Sequence, residues 1–285
     1  MGVAERRTVR RGYLPRISVG IVPGGDLIAQ APDAARLGNP SFVWRSGQER
    51  RLAIIERYIP LAGKRVLDLG CGLGEYVRGF ARQGAEAFGC DVAQSRLAEA
   101  RRRGSGDRLA GAAGEFLPYR SGSFDVVVLN EVIEHVSDDR ATMREVGRVL
   151  APGGIAVLYA PNRLYPFETH GIYLGKRYIF GNIPLVNWLP NILRNRLVPH
   201  ARAYTARGLE RVCAASGLRI VDHSYVYPGF DNIAARVPLV AGLLRAGCYR
   251  AEDSASLRRF GLSHLLVLQR DEAPATAPTQ EGTTA

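Results

Sequence analysis

The stretch Val66-Leu67-Asp68-Leu69-Gly70-Cys71-Gly72-Leu73-Gly74 constrains the fold of this chain more than any other. A short strand pattern, Arg65–Leu69, runs into a turn with glycine at alternate positions, and a helix pattern (Glu75–Gln83) follows. Glycines at such a turn let the backbone reverse sharply and let a ligand approach the peptide groups. A second strand is expected over Ala85–Cys90, and Asp91 stands at its end, 21 residues after Gly70. An acid there is the expected partner of ribose hydroxyls. The alternation continues with a helix over Ala93–Arg103, a doubly buried strand over Phe124–Leu129, a helix from a Ser137 cap to Leu150, and a strand over Ile155–Ala160. Strands alternating with helices of this length mean βαβ units and a parallel sheet. Upstream, apolar residues at 52, 54, 55, 58 and 59 fit a helix over Gly47–Ile59. Downstream, a helix (Thr205–Ser216) and two strands (Leu218–Tyr225 and Leu262–Leu268) resume the pattern after a long interruption. The expected fold class is α/β, doubly wound, in one domain over 45–270.

Composition narrows the function classes without choosing one. With 285 residues, 46% hydrophobic and 23% charged, the chain is neither collagen-like, coiled coil, wholly disordered nor a disulfide miniprotein. Its longest suspicious apolar run, Val237–Leu244, is closed by Arg236 and Arg245 and falls far short of the roughly 18–20 residues that span a bilayer. The 38 basic residues exceed the 27 acidic ones by 11, which favours anionic partners: nucleic acid, acidic membrane or phosphorylated substrates. Residues 1–44 read as an irregular basic arm, with five Arg against Glu5 in the first 16, and residues 271–285 as a disordered tail. No apolar core follows the arm, so it does not read as a secretory signal. The four cysteines show no zinc or disulfide spacing, and the expected location is the cytoplasm, with peripheral membrane contact open.

Two cofactor classes share the glycine-loop geometry. The dinucleotide fingerprint requires glycine where this chain has Glu75, and a pyrophosphate would be repelled by Asp68 just before the turn. S-adenosylmethionine carries a sulfonium and an ammonium and no phosphate, so an acid beside the loop suits it. The glycine stretch is joined by Cys90-Asp91-Val92, by Leu117-Pro118-Tyr119-Arg120-Ser121-Gly122-Ser123-Phe124-Asp125, by Asn130-Glu131-Val132-Ile133-Glu134-His135-Val136, and by Arg148-Val149-Leu150-Ala151-Pro152-Gly153-Gly154. On these motifs, over roughly residues 45–160, the chain resembles the class I S-adenosylmethionine-dependent methyltransferases of the type 11, ubiquinone/menaquinone-like kind.

The resemblance implies a Rossmann-like, seven-stranded, mostly parallel sheet whose last strand is antiparallel. It implies that Asp68 and the Gly70, Cys71, Gly72 and Gly74 loop hold the methionine part, and that Asp91, with Val92 beside it, takes the ribose hydroxyls. Ala113-Gly114-Glu115-Phe116 would cover adenine, while Asn130 and Glu131 close the pocket beside the sulfur. Ala113 stands where the family often has Asp, leaving backbone groups or Glu115 for the adenine amino group. A structural reading stays open for several of these: Asp68 as a buried acid capping amides, Asp91 as a helix cap, and His135 as a hydrogen-bonding residue rather than a base.

The sulfonium is an activated methyl donor, so the protein has mainly to position an acceptor and, for an alcohol, remove its proton. No NPPY-type segment of amino-group methyltransferases follows the Phe124–Leu129 strand. After the Ile155–Ala160 strand comes Pro161-Asn162-Arg163-Leu164-Tyr165-Pro166-Phe167-Glu168-Thr169-His170, where Glu168 could orient His170 as a base titrating near neutrality. Equally, both could be loop residues pairing with local backbone or Arg163. No metal is expected, since no tight Asp/Glu/His cluster shows at the strand ends. The insertion 161–204 is aromatic, basic and apolar, with a helical set (Leu185, Trp188, Leu189, Ile192, Leu193), and with 229–260 it is expected to form a substrate cap. The expected acceptor is a hydroxyl on a small molecule, glycan or lipid-linked saccharide. Methylation of a quinone-like ring is the alternative, and RNA comes third. A nicotinamide-dependent oxidoreductase and a catalytically silent binding module are the competing classes.

Overall fold

The computed structural model describes residues 46–272, so the expected arm and nearly all of the expected tail lie outside the described residues. In chain order the first elements are α1 (Ser46–Tyr58), β1 (Arg65–Leu69), α2 (Glu75–Arg82), β2 (Glu86–Asp91), α3 (Gln94–Arg102), β3 (Leu109–Gly111), β4 (Phe124–Asn130), α4 (Asp139–Val149) and β5 (Leu150–Pro161). Then follow β6 (Phe167–Glu168), β7 (Ile172–Leu174), β8 (Arg177–Ile179), β9 (Ile183–Pro184), α5 (Asn191–Leu197), α6 (Ala206–Cys213), β10 (Arg219–Val226), α7 (Asp231–Ala234), α8 (Pro238–Asp253) and β11 (Ser263–Gln269).

Seven strands form one sheet in the order β10-β11-β5-β4-β1-β2-β3. The pairs among β1 to β5 are parallel, and β11 runs antiparallel to both its neighbours. Alternation sorts the strand residues onto two covered faces. Leu67, Val127, Leu129 and Leu158 pack with Met143 and Val146 of α4 and Leu209 of α6. Val66, Val126, Val128 and Val157 pack on the other face with Ile55 of α1, Phe80 of α2 and Leu97 of α3. This is the doubly wound arrangement.

Two local expectations are corrected. The cap of α4 is Asp138, not Ser137: the Asp138 carboxylate accepts the Ala141 N–H at 2.9 Å, and its charge also suits the helix N-terminus. The apolar set 185–193 does not make one helix. Leu185 takes a left-handed conformation (φ 62°), a 3-10 turn spans Val186–Trp188, and Pro190 starts α5 afresh. Trp188, Ile192 and Leu193 lie exposed.

Inside the insertion, β6 pairs with β9 and β7 with β8, over a small core of Ile172, Val186, Val198 and Ala201. Its strongest polar tie is buried. The Arg194 guanidinium meets Glu168 at 2.7 Å, Asn187 Oδ1 at 3.1 Å and the Ala201 carbonyl at 3.0 Å. Arg194 is thus consumed within the insertion, as is Arg163, which donates to the Leu189 carbonyl and to Asn191 Oδ1. The second insertion, α7 and α8, is tied to α1 by the Arg50–Glu252 ion pair, by the Arg50 guanidinium 4.1 Å from the Tyr249 ring centroid, and by a Ser46–Asp231 hydrogen bond. Because both partners of the Arg194–Glu168 pair are buried, Arg194→Met leaves Glu168 Oε2 unpaired and should cost about 3 kcal/mol in urea unfolding. A loss below about 1 kcal/mol would show that the pair does not stabilise the insertion.

Candidate active site

The parallel strands end level with one another, Leu69 opposite Cys90 and Leu129, and Asn130 opposite Tyr159. Beyond these ends lies a cleft made of two cavities of about 340 and 300 Å³, which share Gly70, Arg96 and Glu131. The glycine turn divides them. Gly70 (φ 76°) must be glycine twice over, because a Cβ there would also stand 2.4 Å from the Val132 side chain. Its N–H and that of Cys71 both donate to the Cys90 carbonyl, at 2.7 and 3.0 Å.

Asp91 is buried, and each of its oxygens takes one backbone N–H at 2.8 Å, from Gly72 and from Ala93. It therefore braces the loop and the start of α3 together, and it also lines the second cavity. Val92 beside it is exposed. Asp68 lines the first cavity, where burial and the neighbouring Asp91 push its carboxyl well above the usual range. The thiols of Cys71 and Cys90 are likewise pushed up by burial and by these acids. Ala113, Gly114 and Glu115 line the second cavity. Glu115 does not reach a free position there, since its carboxylate accepts the Asp138 N–H at 2.9 Å.

One residue of the cleft was missed by reading the sequence. Arg51 of α1 reaches the end of β4, bonding Asn130 Oδ1 and pairing with Glu131 Oε1 at 2.8 Å, with its guanidinium 4.5 Å from the Tyr159 ring centroid. Glu131, at φ 57°, sits in the left-handed region, a strained position for a non-glycine residue. The available signal was an arginine placed three and four residues before Ile54 and Ile55, on the buried side of the helix.

The histidines converge as spacing alone did not reveal. His135 lines the second cavity and lies edge-to-face with His170, ring centroids 5.2 Å apart. His135 Nδ1–H donates to the His200 carbonyl (3.1 Å), and His170 Nδ1–H donates to Glu168 Oε1 (2.9 Å). Ligand atoms of Glu134, His135 and His170 lie within 4.8 Å of one another, which overturns the expectation that no Asp/Glu/His cluster stands at the strand ends. Burial lowers the pKa of His135. Burial also pulls His170 down, but Glu134 and Glu168 outweigh it and hold this imidazole above its ordinary range. The two neighbouring carboxylates thus set His170 apart from an ordinary near-neutral imidazole.

A methyltransferase-domain family model matches residues 67–158. Over 179 residues the chain is 31% identical to a ubiquinone biosynthesis O-methyltransferase of Azoarcus sp., covering 61% of this chain and 72% of that protein. The chain belongs to the class I S-adenosylmethionine-dependent methyltransferases. This methyltransferase is also 35% identical over 139 residues to a protein of the same description from Aromatoleum aromaticum, covering 47% of this chain and 59% of that one. It spans 59–65% of the length of several of the curated relatives it matches. The S-adenosylmethionine-dependent methyltransferase of Mesorhizobium loti shares its fold, with a TM-score of 0.53 at 22% identity, covering 76% of this chain and 96% of that one. The cofactor is S-adenosylmethionine, and the nicotinamide-dependent alternative is set aside.

The raised carboxyl of Asp68 has a stability consequence for the ligand-free methyltransferase. An acid whose folded pKa exceeds its unfolded value, about 3.9, is stabilising only while protonated. The cost of ionising it grows as pH rises above that value and vanishes below it. Asp68→Asn should therefore raise the Tm of the cofactor-free protein at pH 7–8, with no gain near pH 4. Scanning calorimetry at both pH values checks this, and an unchanged or lower Tm at pH 8 refutes it.

Proposed function

We propose that this methyltransferase transfers the methyl group of S-adenosylmethionine to a hydroxyl of a small ring-bearing acceptor. The observation that supports it most is the position of the Glu134–His135–His170 cluster. His135 lines the cavity beyond Glu131, so groups able to manage an acceptor proton stand beside the cofactor pocket. In this reading Asp68 and the Gly70, Cys71, Gly72 and Gly74 turn hold the methionine portion. Arg51, Asn130 and Glu131 close that end, with Arg51 paired to Glu131 and left able to meet the cofactor carboxylate. Asp91 takes the ribose hydroxyls. Gly114 and its neighbours cover adenine through backbone groups, since Glu115 is engaged with Asp138. Glu168, locked by Arg194, fixes the orientation of His170.

The relatives described as ubiquinone biosynthesis O-methyltransferases favour oxygen as the acceptor atom, and a quinone-like ring over a saccharide. The two insertions agree with an acceptor carrying an apolar tail, or one met at a membrane surface. Ile192, Leu239 and Leu243 are exposed on helices that also carry Arg196, Arg245 and Arg250. Among the described residues no helix is long and apolar enough to cross a membrane.

The deciding experiment supplies methyl-labelled S-adenosylmethionine with a prenylated catechol, a bacterial lipid extract, saccharide acceptors and RNA in separate reactions. Label recovered as an aryl methyl ether supports the reading; label in saccharide or RNA alone replaces it. In parallel, Asp91→Ala should weaken S-adenosylmethionine binding at least tenfold by calorimetry, about 1.4 kcal/mol. Unchanged affinity would remove Asp91 from the cofactor site.

A further inference from the structure

Hydrogen bonding leaves one member of the histidine cluster unexplained. The side chain of Glu134 is 0% exposed, yet neither of its oxygens has a hydrogen-bond partner. A buried carboxylate without donors is costly to keep, and native folds rarely leave one. The nearest cationic-type atoms are Nε2 of His135 and Nε2 of His170, each 3.7 Å from Oε1. Both rings are held by their other nitrogen. His135 Nδ1–H donates to the His200 carbonyl, and His170 Nδ1–H donates to Glu168, itself clamped by Arg194 at 2.7 Å. The His200 ring donates in turn to the His170 carbonyl at 3.0 Å, tying the two supports together. Two imidazoles are thus anchored through Nδ1 with Nε2 turned on one orphaned carboxylate. An imidazole whose far N–H is given to a carbonyl or carboxylate is the usual outer support of a metal ligand.

We propose that Glu134, His135 and His170 bind one divalent transition-metal ion in the wall of the cofactor cleft. Two imidazoles and a carboxylate suit zinc, manganese, iron(II) or cobalt better than calcium or magnesium. Ligand atoms about 2.0–2.1 Å from a shared ion stand roughly 3.0–3.4 Å apart. The 3.7 Å separations at Glu134 are only a few tenths of an ångström wider. The ion gives Glu134 the partner it lacks. Three protein ligands leave coordination positions for small molecules, and His135 already lines the cavity.

Resting on the O-methylation proposed above, the site has a catalytic use. An acceptor hydroxyl bound to the ion loses its proton to water more easily. The resulting oxygen lone pair forms the O–CH3 bond as the S–CH3 bond breaks. The bonding electrons stay on sulfur as S-adenosylhomocysteine, and the metal does not change oxidation state.

The test titrates metal-free, full-length protein with Co²⁺ alone, without cofactor or acceptor, followed by visible absorption and by metal analysis after gel filtration. One ion per chain is expected, weakened at least about 100-fold in both Glu134→Gln and His170→Gln. His223→Gln is the control, because His223, His264 and Glu210 form the other histidine group and lie outside the site. It should bind Co²⁺ as the wild type does. The site is refuted if wild-type protein that binds S-adenosylmethionine takes up no Co²⁺. It is refuted equally if uptake survives both cluster variants or is lost in His223→Gln. The catalytic half is read separately, by chelating the metal and restoring it with zinc or manganese during methyl transfer. Bound metal with transfer indifferent to its removal would leave a structural ion and overturn the catalytic role. Failure to find any hydroxyl acceptor would overturn O-methylation while leaving the Co²⁺ result standing.

Discussion

The cleft depends on the carboxylate of Asp91. Its two oxygens join the end of β2 to the Gly72 amide on one side and to the start of α3 on the other. A glycine turn with three left-handed residues (Gly70, Gly72, Gly74) has little intrinsic preference for one shape. A charge-assisted bond to a rigid buried strand, with the two amides given to the Cys90 carbonyl, supplies that preference. Level strand ends then place Asp68, Asn130 and Glu131 around the same turn, and the sheet does the rest of the positioning.

What the sequence made legible was whatever is local. The glycine turn, the acid ending β2, the doubly buried β4 and the antiparallel final strand follow from patterns a few residues long, or from a resemblance carried by contiguous motifs. β3, at three residues, is too short to show a period. The α4 cap fell one residue away from the expected Ser137, since Ser and Asp stand side by side and either suits a cap. Helical spacing over 185–193 was real, but Pro190 removes a donor and the left-handed Leu185 breaks the run.

The parts of the site that stayed hidden are those joined across long separations. Arg51 meets Asn130 and Glu131 from a helix 80 residues earlier in the chain. Glu134 meets His170 only because the segment after β5 folds back along the strand ends, and His200 arrives from the far side of the same insertion to hold both histidines. Glu168 and Arg194 show why the insertion is more than a cover. Burying an ion pair is a poor route to stability compared with apolar packing. Here one oxygen of Glu168 is given to Arg194 and the other to His170, so the pair fixes the side chain packed against the cavity-lining His135 as well as the insertion itself.

The suppressed thiols have a consequence in self-alkylation. S-adenosylmethionine is an electrophile stored at high local concentration, and a thiolate is the side-chain form most reactive toward it. Cys71 lies within the turn, but its sulfur packs over Gly89, where even a Cβ would stand only 2.8 Å away. Burial and the flanking Asp68 and Asp91 keep Cys71 and Cys90 as thiols. The acids that line the cleft thus also hold its thiols in the form least reactive toward a methyl donor. Gly89, outside every recognisable motif, is the residue whose missing side chain makes room for the sulfur to turn away.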